Sequence, residues 1–464
     1  MPPTPRTLRA AAMFSLPLPF PTTPALHTDA ADQIDAHLPP GRTCLLTGPS
    51  GSGKSTTLRR LAARLGDAAI TVSAAHPLAH VTTRVADLSP SPLTRFMRLL
   101  AAAGLAEAAV LLTRACDLSE GQRARLALAL AMDEALRRRR RGSRPITLLA
   151  DEFASTLDRT TARSLARTAS RWAARTGVRL IAAAAHDDLA GPLAPSLVAT
   201  FSLSAPPRID HRPAPAPDPL DALIDIARGD PADLASLSRW HYRAGPPATC
   251  VHVLSARDRG TGDLAGVLAV SMPALNSPLR DLAWPGRYRT GDRRRDARRL
   301  NAELRTISRV IVDPRYRGIG VAAALVRAYL ARPLTPATEA LAAMGSCCPF
   351  FEAAGMTRYA LPLARRHARL LDALDAIGLP PWRLADPAAV LAHFRRHGRS
   401  GDHAAAFLAR ELALWADASR ATRRLARAPL RDLLHAAARS GLTSPAVGYA
   451  HTAAIATDTD KAAA

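Results

Sequence analysis

The stretch that decides the fold is Cys44-Leu45-Leu46-Thr47-Gly48-Pro49-Ser50-Gly51-Ser52-Gly53-Lys54-Ser55, followed by the helix-patterned segment Thr56 to Leu65. It predicts a short buried strand, a glycine-rich loop with the spacing G-x-x-x-x-G-K-[ST], and a helix. In such a loop the backbone N–H groups turn towards a β-phosphate, and the helix N-terminus adds a favourable dipole. The lysine reaches the β- and γ-phosphate oxygens, and the serine hydroxyl ligates Mg²⁺. We therefore predict that ATP is bound by Gly48, Gly51, Ser52, Gly53, Lys54, Ser55 and Thr56.

The composition of the 464-residue chain makes this lysine informative. Of 62 basic residues only Lys54 and Lys461 are lysines, so a chance lysine at this position is improbable. The net charge of +23 excludes an acidic surface protein, and 48% hydrophobic residues is enough for real cores. Because a GC-rich genome enriches arginine by itself, the basic excess is weak evidence for nucleic acid.

The number and spacing of the cysteines and the hydropathy pattern indicate the cellular compartment of the protein. Five scattered cysteines without a C-x-x-C pair favour a reducing compartment and exclude a disulfide framework or a structural zinc. No apolar run reaches the roughly 18 residues that a membrane helix needs. Residues 1–28 resemble a short signal sequence, but prolines interrupt the apolar patch, and a site that needs ATP favours an N-terminal arm. We expect a cytoplasmic protein without a membrane partner.

Carboxylates follow a second predicted strand, Ile146 to Ala150. Asp151 is placed to meet Mg²⁺ together with Ser55, and Glu152 to orient or deprotonate the attacking water. Such a pair at a strand end is also common as a helix cap. We predict Asp151 and Ser55 as metal ligands and Glu152 as a catalytic residue beside Lys54.

Further motifs follow in a fixed order. Leu118-Ser119-Glu120-Gly121-Gln122 precedes the Asp151 strand, Ser155-Thr156-Leu157-Asp158 follows it, and a later strand ends in His186 near a γ-phosphate. Together, GPSGSGKST, LSEGQ, LLADE, STLD and a late histidine resemble the ATP-binding cassette (ABC) ATPases over Leu38 to Ser204. The resemblance implies a homodimer that sandwiches two ATP molecules. It also implies nucleotide contacts from Ser119, Gly121, Gln122 and Asp158, and a catalytic role for His186.

Two features depart from the transporter members of that family. Lys54 and Ser119 are only 65 positions apart, and the intervening stretch contains no glutamine for the usual Q-loop. We therefore favour a soluble switch or clamp over the motor subunit of a transporter. The run Arg137 to Arg141 suits contacts with nucleic-acid phosphates, or equally a solvated helix C-terminus.

A second constellation begins at the strand Thr306 to Val312 and continues into Arg315-Tyr316-Arg317-Gly318-Ile319-Gly320. Such glycines let backbone amides at a helix N-terminus wrap a pyrophosphate. With Pro349-Phe350-Phe351-Glu352-Ala353-Ala354-Gly355-Met356 further on, this pattern resembles the GNAT N-acetyltransferases over Leu220 to Leu363. The resemblance implies acetyl-CoA, with its pantetheine and pyrophosphate held by Val310, Val312, Arg315, Arg317, Gly318 and Gly320.

Several residues are candidates for binding the acyl acceptor and for acid–base catalysis at this second site. Ser238 to Arg243 contains Trp240, His241, Tyr242 and Arg243, which suit stacking and pairing with a base. A core-anchoring role for Trp240 is an equal alternative. Glu303 is a candidate base, and the arginine-rich loop Arg287 to Arg299 a candidate acceptor surface. The family's usual tyrosine acid is replaced by Phe350-Phe351, which leaves the candidates Tyr316, Tyr359, Tyr242 and Cys347.

We predict an α/β chain in which a P-loop NTPase domain of the ABC type precedes a GNAT-like α/β domain and a helical C-terminal extension. The predicted segments are an arm at 1–28, the ATPase domain at 29–204, a proline-rich linker at 205–219, the GNAT-like domain at 220–363, helices at 364–450 and a disordered tail at 451–464. This order resembles fusions of an ABC-type ATPase to a predicted acetyltransferase. It implies ATP, Mg²⁺ and acetyl-CoA as cofactors, and it gives an architecture without a substrate. By analogy of fold with the tRNA cytidine acetyltransferases, which join a different type of ATPase to a GNAT domain, we predict RNA or DNA, or a protein bound to it, as the target. The alternative is a nucleotide-switched binding module whose GNAT-like domain has lost transfer activity.

Overall fold

The computed structural model describes residues 3–18, 28–72, 77–142, 144–185, 187–212, 219–241, 245 and 247–453. The chain forms two compact units. Unit 1 comprises residues 1–225, 257–265 and 312–321, and unit 2 comprises residues 226–256, 266–311 and 322–464.

The first sheet lies in unit 1 and has six strands in the order β2-β3-β4-β1-β5-β6. The strands are β1 Thr43–Thr47, β2 Ala69–Val72, β3 Thr147–Ala150, β4 Arg179–Ala183, β5 Leu197–Thr200 and β6 Arg208–His211. Neighbouring strands are parallel except for β6, which pairs with β5 in antiparallel register. The helices are α1 Pro5–Met13, α2 Thr28–His37, α3 Lys54–Leu65, α4 Leu93–Ala102, α5 Ala108–Leu112, α6 Glu120–Arg141, α7 Arg159–Thr176 and α8 Ala190–Leu193.

Both faces of the first sheet are covered, as the continuous apolar strands predict. Leu45 belongs to the core on one face, which α4, α6 and α7 complete. Cys44 and Leu46 belong to the core on the opposite face, which α2 and α3 complete. Successive side chains of a strand alternate in direction, so a strand that is buried throughout needs a layer on each side.

The second sheet has seven strands in the order β12-β13-β11-β10-β9-β8-β7. The strands are β7 Ile224–Arg228, β8 Cys250–Asp258, β9 Leu264–Ser271, β10 Leu304–Val312, β11 Ala337–Ala342, β12 Thr357–Ala360 and β13 Val447–Thr452. β10 and β11 are parallel and paired over Leu304–Ile307, whereas β10 runs on to Val312. β13 pairs in antiparallel register with both β11 and β12.

Ten helices accompany these strands in the described part of the chain. They are α9 Leu220–Leu223, α10 Pro231–Leu237, α11 Pro278–Ala283, α12 Arg293–Glu303, α13 Val321–Ala331, α14 Phe350–Ala353, α15 Arg365–Ala376, α16 Pro387–Arg396, α17 Gly398–Asp417 and α18 Leu430–Ala438. The last four pack around a separate apolar core that includes Leu374, Phe394, Leu412 and Leu434. This helical segment is inserted between β12 and β13.

The structure differs from the sequence-based expectations at several segment ends. Part of the predicted linker 205–219 forms the edge strand β6, and residues 213–218 lie outside the described residues. The predicted tail 451–464 begins inside β13, and the residues after 453 are not described. The pattern of Asp221 to Trp240 predicts one long helix, whereas the structure has the short α9, the strand β7 and the short α10. Pairing with another strand decides the conformation: β6 pairs with β5, β7 lies beside β8, and β13 pairs with β11 and β12. Local composition does not report such pairing.

Within the described residues, no helix is long and apolar enough to cross a membrane.

Candidate functional site

The glycine-rich loop connects β1 to α3 as predicted. Gly48, Gly51 and Gly53 have positive φ angles of 136°, 79° and 101°, a region that L side chains rarely adopt. A Cβ on Gly48 would lie 2.3 Å from the carbonyl oxygen of Phe201, so the backbone must pass there without a side chain. The loop therefore requires glycine for its conformation as well as for phosphate binding.

The loop and the first residue of α3 carry two side-chain donors, Ser52 and Lys54. The Lys54 Nζ donates to the carbonyl oxygens of Gly48 and Pro49 at 2.6 and 2.7 Å. Burial lowers the pKa of the Lys54 ammonium, although the nearby charge of Asp151 opposes this effect. The buried hydroxyl of Ser52 has no hydrogen-bond partner among the described residues. The Ser52 hydroxyl is free to donate a hydrogen bond, and in the described part of the chain the Lys54 ammonium donates only to loop carbonyls. Both groups therefore fit an anionic ligand such as a nucleotide phosphate.

Ser55 and Asp151 meet although 96 positions separate them. The Ser55 hydroxyl donates to Oδ1 of Asp151 over 3.1 Å. Asp151 follows the end of β3, and Ser55 lies in the first turn of α3. A hydroxyl and a carboxylate are ligands that Mg²⁺ accepts, with phosphate oxygens and water completing its shell. In the described chain no cluster of three or more His, Cys, Asp or Glu side chains could hold a metal by itself. The site fits Mg²⁺ bound together with a phosphate.

Glu152 has a backbone conformation that is uncommon for its type. Its φ angle is +49°, and its N–H donates to Oδ1 of Asp151 at 3.1 Å. The side chain is exposed, whereas Phe153 beside it is buried and donates its N–H to the carbonyl of Ala183 in β4. The turn thus keeps the Glu152 side chain outside the core, directly after Asp151 in the chain. The predicted catalytic residue His186 lies outside the described residues.

The LSEGQ motif begins α6. Ser119 is its N-cap, and its hydroxyl accepts from the Gln122 N–H while the Gln122 side chain accepts from the Ser119 N–H. Ser119 is exposed, so the helix N-terminus is open to an anion. A Cβ on Gly121 would lie 2.8 Å from Cδ2 of Leu157, so a larger residue there would have to displace the Leu157 side chain.

Asp158 caps a second long helix, α7. It accepts from the backbone N–H of Thr161 at 3.0 Å and from the Thr161 hydroxyl at 2.6 Å. Burial raises the pKa of its carboxyl, but these hydrogen bonds outweigh that effect, and the pKa is lowered. The observed role of Asp158 in the chain is therefore a helix cap, and its contact with a nucleotide stays a prediction.

Comparisons with known proteins agree with this geometry. Residues 24–226 match the family profile described as "AAA ATPase domain". This region is a P-loop ATPase domain of the α/β class. None of the curated proteins that were compared matches the chain.

Several solved structures are similar to part of the chain. They include a dimeric post-hydrolysis state of the ATP-binding cassette MJ0796 with ADP and Pi, at 18% identity over 38% of this chain and 87% of that chain, with a TM-score of 0.31. CbiO1 from Clostridium perfringens, part of the ABC transporter complex cbiONQ, is 16% identical over 37% of this chain and 78% of that chain, with a TM-score of 0.29. The ADP conformation of the transporter cassette MJ1267 is 13% identical over 38% of this chain and 82% of that chain, with a TM-score of 0.28.

The Arg315–Gly320 loop belongs to unit 1, where its side chains and backbone are engaged. Arg317 pairs with Glu107 at 3.2 Å, and Arg171 of α7 donates to the carbonyl of Ile319 at 3.0 Å. Gly318 has a φ angle of +83°, and a Cβ there would lie 2.8 Å from Cγ2 of Thr168. The ATPase helices therefore hold the loop that the sequence predicts as a pyrophosphate site.

The remaining residues of the predicted acyl-CoA site lie beside this loop in the chain. Val310 and Val312 are in β10, after the part of the strand that pairs with β11. Arg315 pairs with Asp313 at 3.1 Å and with Asp263 at 2.8 Å. Gly320 has a φ angle of +111°, which favours glycine. The strand, the turn and the glycine conformations are as predicted, whereas Arg315 and Arg317 each have carboxylate partners within the chain.

The predicted acceptor residues are only partly brought together. His241 lines a pocket of unit 2 with a volume of about 380 Å³. Trp240 is 39% exposed and carries the Arg239 guanidinium over its ring, so it does not anchor the core. Tyr242 and Arg243 lie outside the described residues. Glu303 is bound by Arg287 at 2.8 Å, at the end of α12.

The residues predicted as the general acid of the acyl-transfer site lie in different elements of the structure. Tyr316 is buried, and desolvation raises the pKa of its phenol to about 12. Cys347 is buried as well, which fits a packing role, and Phe350 and Phe351 lie 4.4 Å apart by ring centroid. Tyr359 lies in β12.

Sequence reasoning missed Arg228, Cys250, His252 and Arg309, which line the same pocket as His241. Only one of these residues, Arg309, stands out in the sequence. Arg309 interrupts the apolar strand Thr306 to Val312, and a charge in such a strand is unusual. The other residues come from β7 and β8, whose alignment with β10 is a property of the sheet order.

Proposed function

We propose that this chain is a cytoplasmic ATPase that hydrolyses ATP within a homodimer and controls a GNAT-like acyltransferase. The observation that carries the ATPase proposal is the meeting of Ser55 and Asp151 at 3.1 Å beside the Lys54 loop. A hydroxyl, a carboxylate and an ammonium beside one loop support the proposal that a Mg²⁺–nucleotide binds there.

Each residue of this site has a distinct role in the proposal. Lys54 releases its two loop carbonyls and binds the β- and γ-phosphate oxygens. Ser55 and Asp151 hold Mg²⁺, which when bound neutralises charge that develops on the phosphates. Glu152 accepts a proton from the attacking water, and its exposed side chain reaches outward from a constrained turn. Ser119 and Gly121 at the start of α6 contact the nucleotide held by the partner copy.

ATP turnover by the full chain tests this part. Lys54→Ala should abolish ATP binding, measured by equilibrium dialysis with labelled ATP. Glu152→Gln should keep binding and lower turnover about 10²- to 10⁴-fold, the usual contribution of a general base. Asp67→Asn, which neutralises an exposed carboxylate of unit 1 outside all of these motifs, is the control and should hydrolyse ATP normally. Full turnover by Glu152→Gln would contradict the assigned role.

The acyl-transfer part of the proposal rests on the second sheet. β10 and β11 are parallel but paired over only four residues, Leu304–Ile307, so the later part of β10 has an edge free of β11. An extended pantetheine can hydrogen-bond along such an edge. Gly318 and Gly320 follow this strand directly and have the positive φ angles expected of a phosphate-binding turn.

In the transfer step the acceptor amine attacks the thioester carbonyl carbon of acetyl-CoA. The new C–N bond forms as the C–S bond breaks, a base takes the amine proton, and the CoA thiolate leaves and is reprotonated. Glu303 was the predicted base, but Arg287 binds its carboxylate. Burial and the charge of Arg228 lower the pKa of His252, which keeps its imidazole neutral and able to accept a proton. We therefore favour His252 over Glu303 as the base.

We propose nucleic acid, or a protein bound to it, as the acceptor. The supporting observation is that α12 exposes Arg293, Arg294, Arg295 and Arg298 to solvent. The earlier run at the end of α6 is a weaker candidate, because Arg137 and Arg138 pair with Asp133 and Glu134.

Labelled acetyl-CoA offered with RNA, DNA or cellular protein tests the transfer. Label should enter one of these polymers, and His252→Gln should reduce it strongly. Arg317→Gln should also reduce label, whereas Glu107→Gln removes the same ion pair without changing the loop and should not. If no polymer gains label while ATP turnover is normal, unit 2 is a binding module instead. The replaced tyrosine at Phe350-Phe351 and the packed Arg315–Gly320 loop favour that second candidate.

A further inference from the structure

Unit 2 contains a pocket of about 380 Å³ between α10, β7, β8 and β10. Its size lies in the range of about 300–1,000 Å³ that is usual for small-molecule sites. All of the residues that line it belong to unit 2.

The charged side chains of the pocket have one sign. Arg228 and Arg309 line it, and no carboxylate does so within the described residues. Residues 242–244 and 246, which are not described, include no acidic residue in the sequence. The Arg309 Nη1 donates to the neighbouring carbonyl oxygen of Ser308 at 2.8 Å, and among the described residues no carboxylate forms an ion pair with this guanidinium. Arg309 is half-buried, so an anion that pairs with it would offset part of its desolvation.

The walls of the pocket are apolar. Leu234 and Val253 are buried behind it, and Ile311 closes it on the β10 side. Val251 lies at the pocket with about half of its surface exposed. A ligand that fills this space must therefore combine an apolar body with a negatively charged group.

We propose that this pocket binds a small organic anion, whose carboxylate or phosphate is held by Arg228 and Arg309 and whose apolar body contacts Leu234, Val253 and Ile311. A guanidinium matches both head groups with paired N–H donors. The proposal concerns binding only, and it does not depend on ATP hydrolysis or on acyl transfer.

The position of Cys250 provides a direct readout. It is exposed and lines the pocket, whereas Cys44 and Cys347 are buried. A ligand in the pocket should slow the alkylation of Cys250 by iodoacetamide. Cys116, which is half-buried in unit 1, is the internal reference and should react at an unchanged rate.

The experiment compares octanoate, octyl phosphate and octylammonium with the full-length chain, by calorimetry and by peptide-resolved alkylation. One or both anions should bind and protect Cys250, and octylammonium should do neither. The tighter anion identifies the head group that the pocket prefers. Equal protection by octylammonium, or no binding of either anion up to millimolar concentration, would overturn the proposal.

Two charge-removing variants test the role of the arginines. Arg228→Gln and Arg309→Gln should each weaken binding of the preferred anion roughly tenfold, as expected for the loss of a hydrogen bond to a charged group. Arg332→Gln removes an exposed arginine of unit 2 outside the pocket and should bind normally. Wild-type affinity in both pocket variants would overturn the proposal, and the protection of Cys250 in the unaltered chain tests it even if a variant fails to fold.

Discussion

At the scale of single residues, the nucleotide loop is held by conformations that few side chains allow. Gly48 passes against the Phe201 carbonyl, and Glu152 holds a left-handed φ angle of +49° beside Asp151. Such an angle costs a non-glycine residue about 1–2 kcal/mol. The surrounding strands β1, β3 and β4 are fully buried, so their packing can supply this energy.

Two glycine-to-alanine variants should distinguish the cost of a close contact from the cost of a positive φ angle alone. Gly48→Ala combines a strained φ with a contact of 2.3 Å and should lower the free energy of unfolding by at least about 2 kcal/mol. Gly177→Ala also has a positive φ, +70°, in the left-handed region, but its Cβ would meet no atom closer than 3.4 Å, and it should lose about 1 kcal/mol. Urea unfolding without nucleotide measures both, and an equal loss would refute the packing argument.

Cysteine reactivity should follow burial. Burial raises the pKa of the Cys44 thiol well above its usual range, so no reactive thiolate forms at neutral pH. Cys250 is exposed. Iodoacetamide should therefore modify Cys250 and leave Cys44 unmodified until the chain is denatured, as peptide mass spectrometry can show. Native modification of Cys44 at the rate of Cys250 would contradict the assigned burial.

At the scale of elements, a buried ion pair joins α11 to β11. Arg280 and Glu339 are each 3% exposed and form two hydrogen bonds, at 2.7 and 3.0 Å. Thr306 of β10 donates a third to the same carboxylate at 2.9 Å. Thr306 lies opposite Glu339 because β10 and β11 pair in parallel register at these positions.

Removal of one partner should be costly because the other charge stays buried. Glu339→Gln should lower the free energy of unfolding by about 3–5 kcal/mol. Asp281→Asn breaks an exposed pair with Arg289 nearby and should change it little. The double variant Arg280→Met, Glu339→Leu should recover part of the loss, since neither charge is left unpaired. Urea unfolding compares the three, and equal effects of Glu339→Gln and Asp281→Asn would contradict the argument.

The helices of the inserted segment should show a pH-dependent contact. Hydrogen bonds from Arg369 of α15 lower the pKa of Glu411 in α17 below its ordinary 4.5. A lowered carboxyl pKa adds stability that is fully present above the unfolded-state pKa and is lost as pH falls through the folded-state pKa. The difference in urea midpoint between the wild type and Glu411→Gln should thus be largest near neutral pH and shrink on acidification. A constant difference would contradict this linkage.

At the scale of the whole molecule, the open N-terminus of α6 leads to the proposed dimer. Glu152→Gln with ATP and Mg²⁺ should shift the 49.2 kDa chain towards twice that mass in sedimentation velocity. Ser119→Arg in the same background should keep it monomeric, because a long side chain would fill the space of the partner's phosphate. Ser119→Thr preserves the hydroxyl cap and should still dimerise. A Glu152→Gln chain that stays monomeric would disprove the sandwich.

The sequence by itself determined the nucleotide loop and the strand β3, whose conformations depend on residues close together in the chain. The spacing from Gly48 to Ser55 predicted the strand, loop and helix, and the apolar run before Asp151 predicted β3, because glycine conformation and strand patterning act over a few positions. The motif order also predicted that Ser55 and Asp151 share a site. Only the tertiary structure decided that Arg317 pairs with Glu107 and that Arg171 donates to the carbonyl oxygen of Ile319. It also assembled Arg228, His252 and Arg309 around one pocket. These contacts join positions far apart in the chain, and their partners are set by strand order and packing, which a local pattern does not encode.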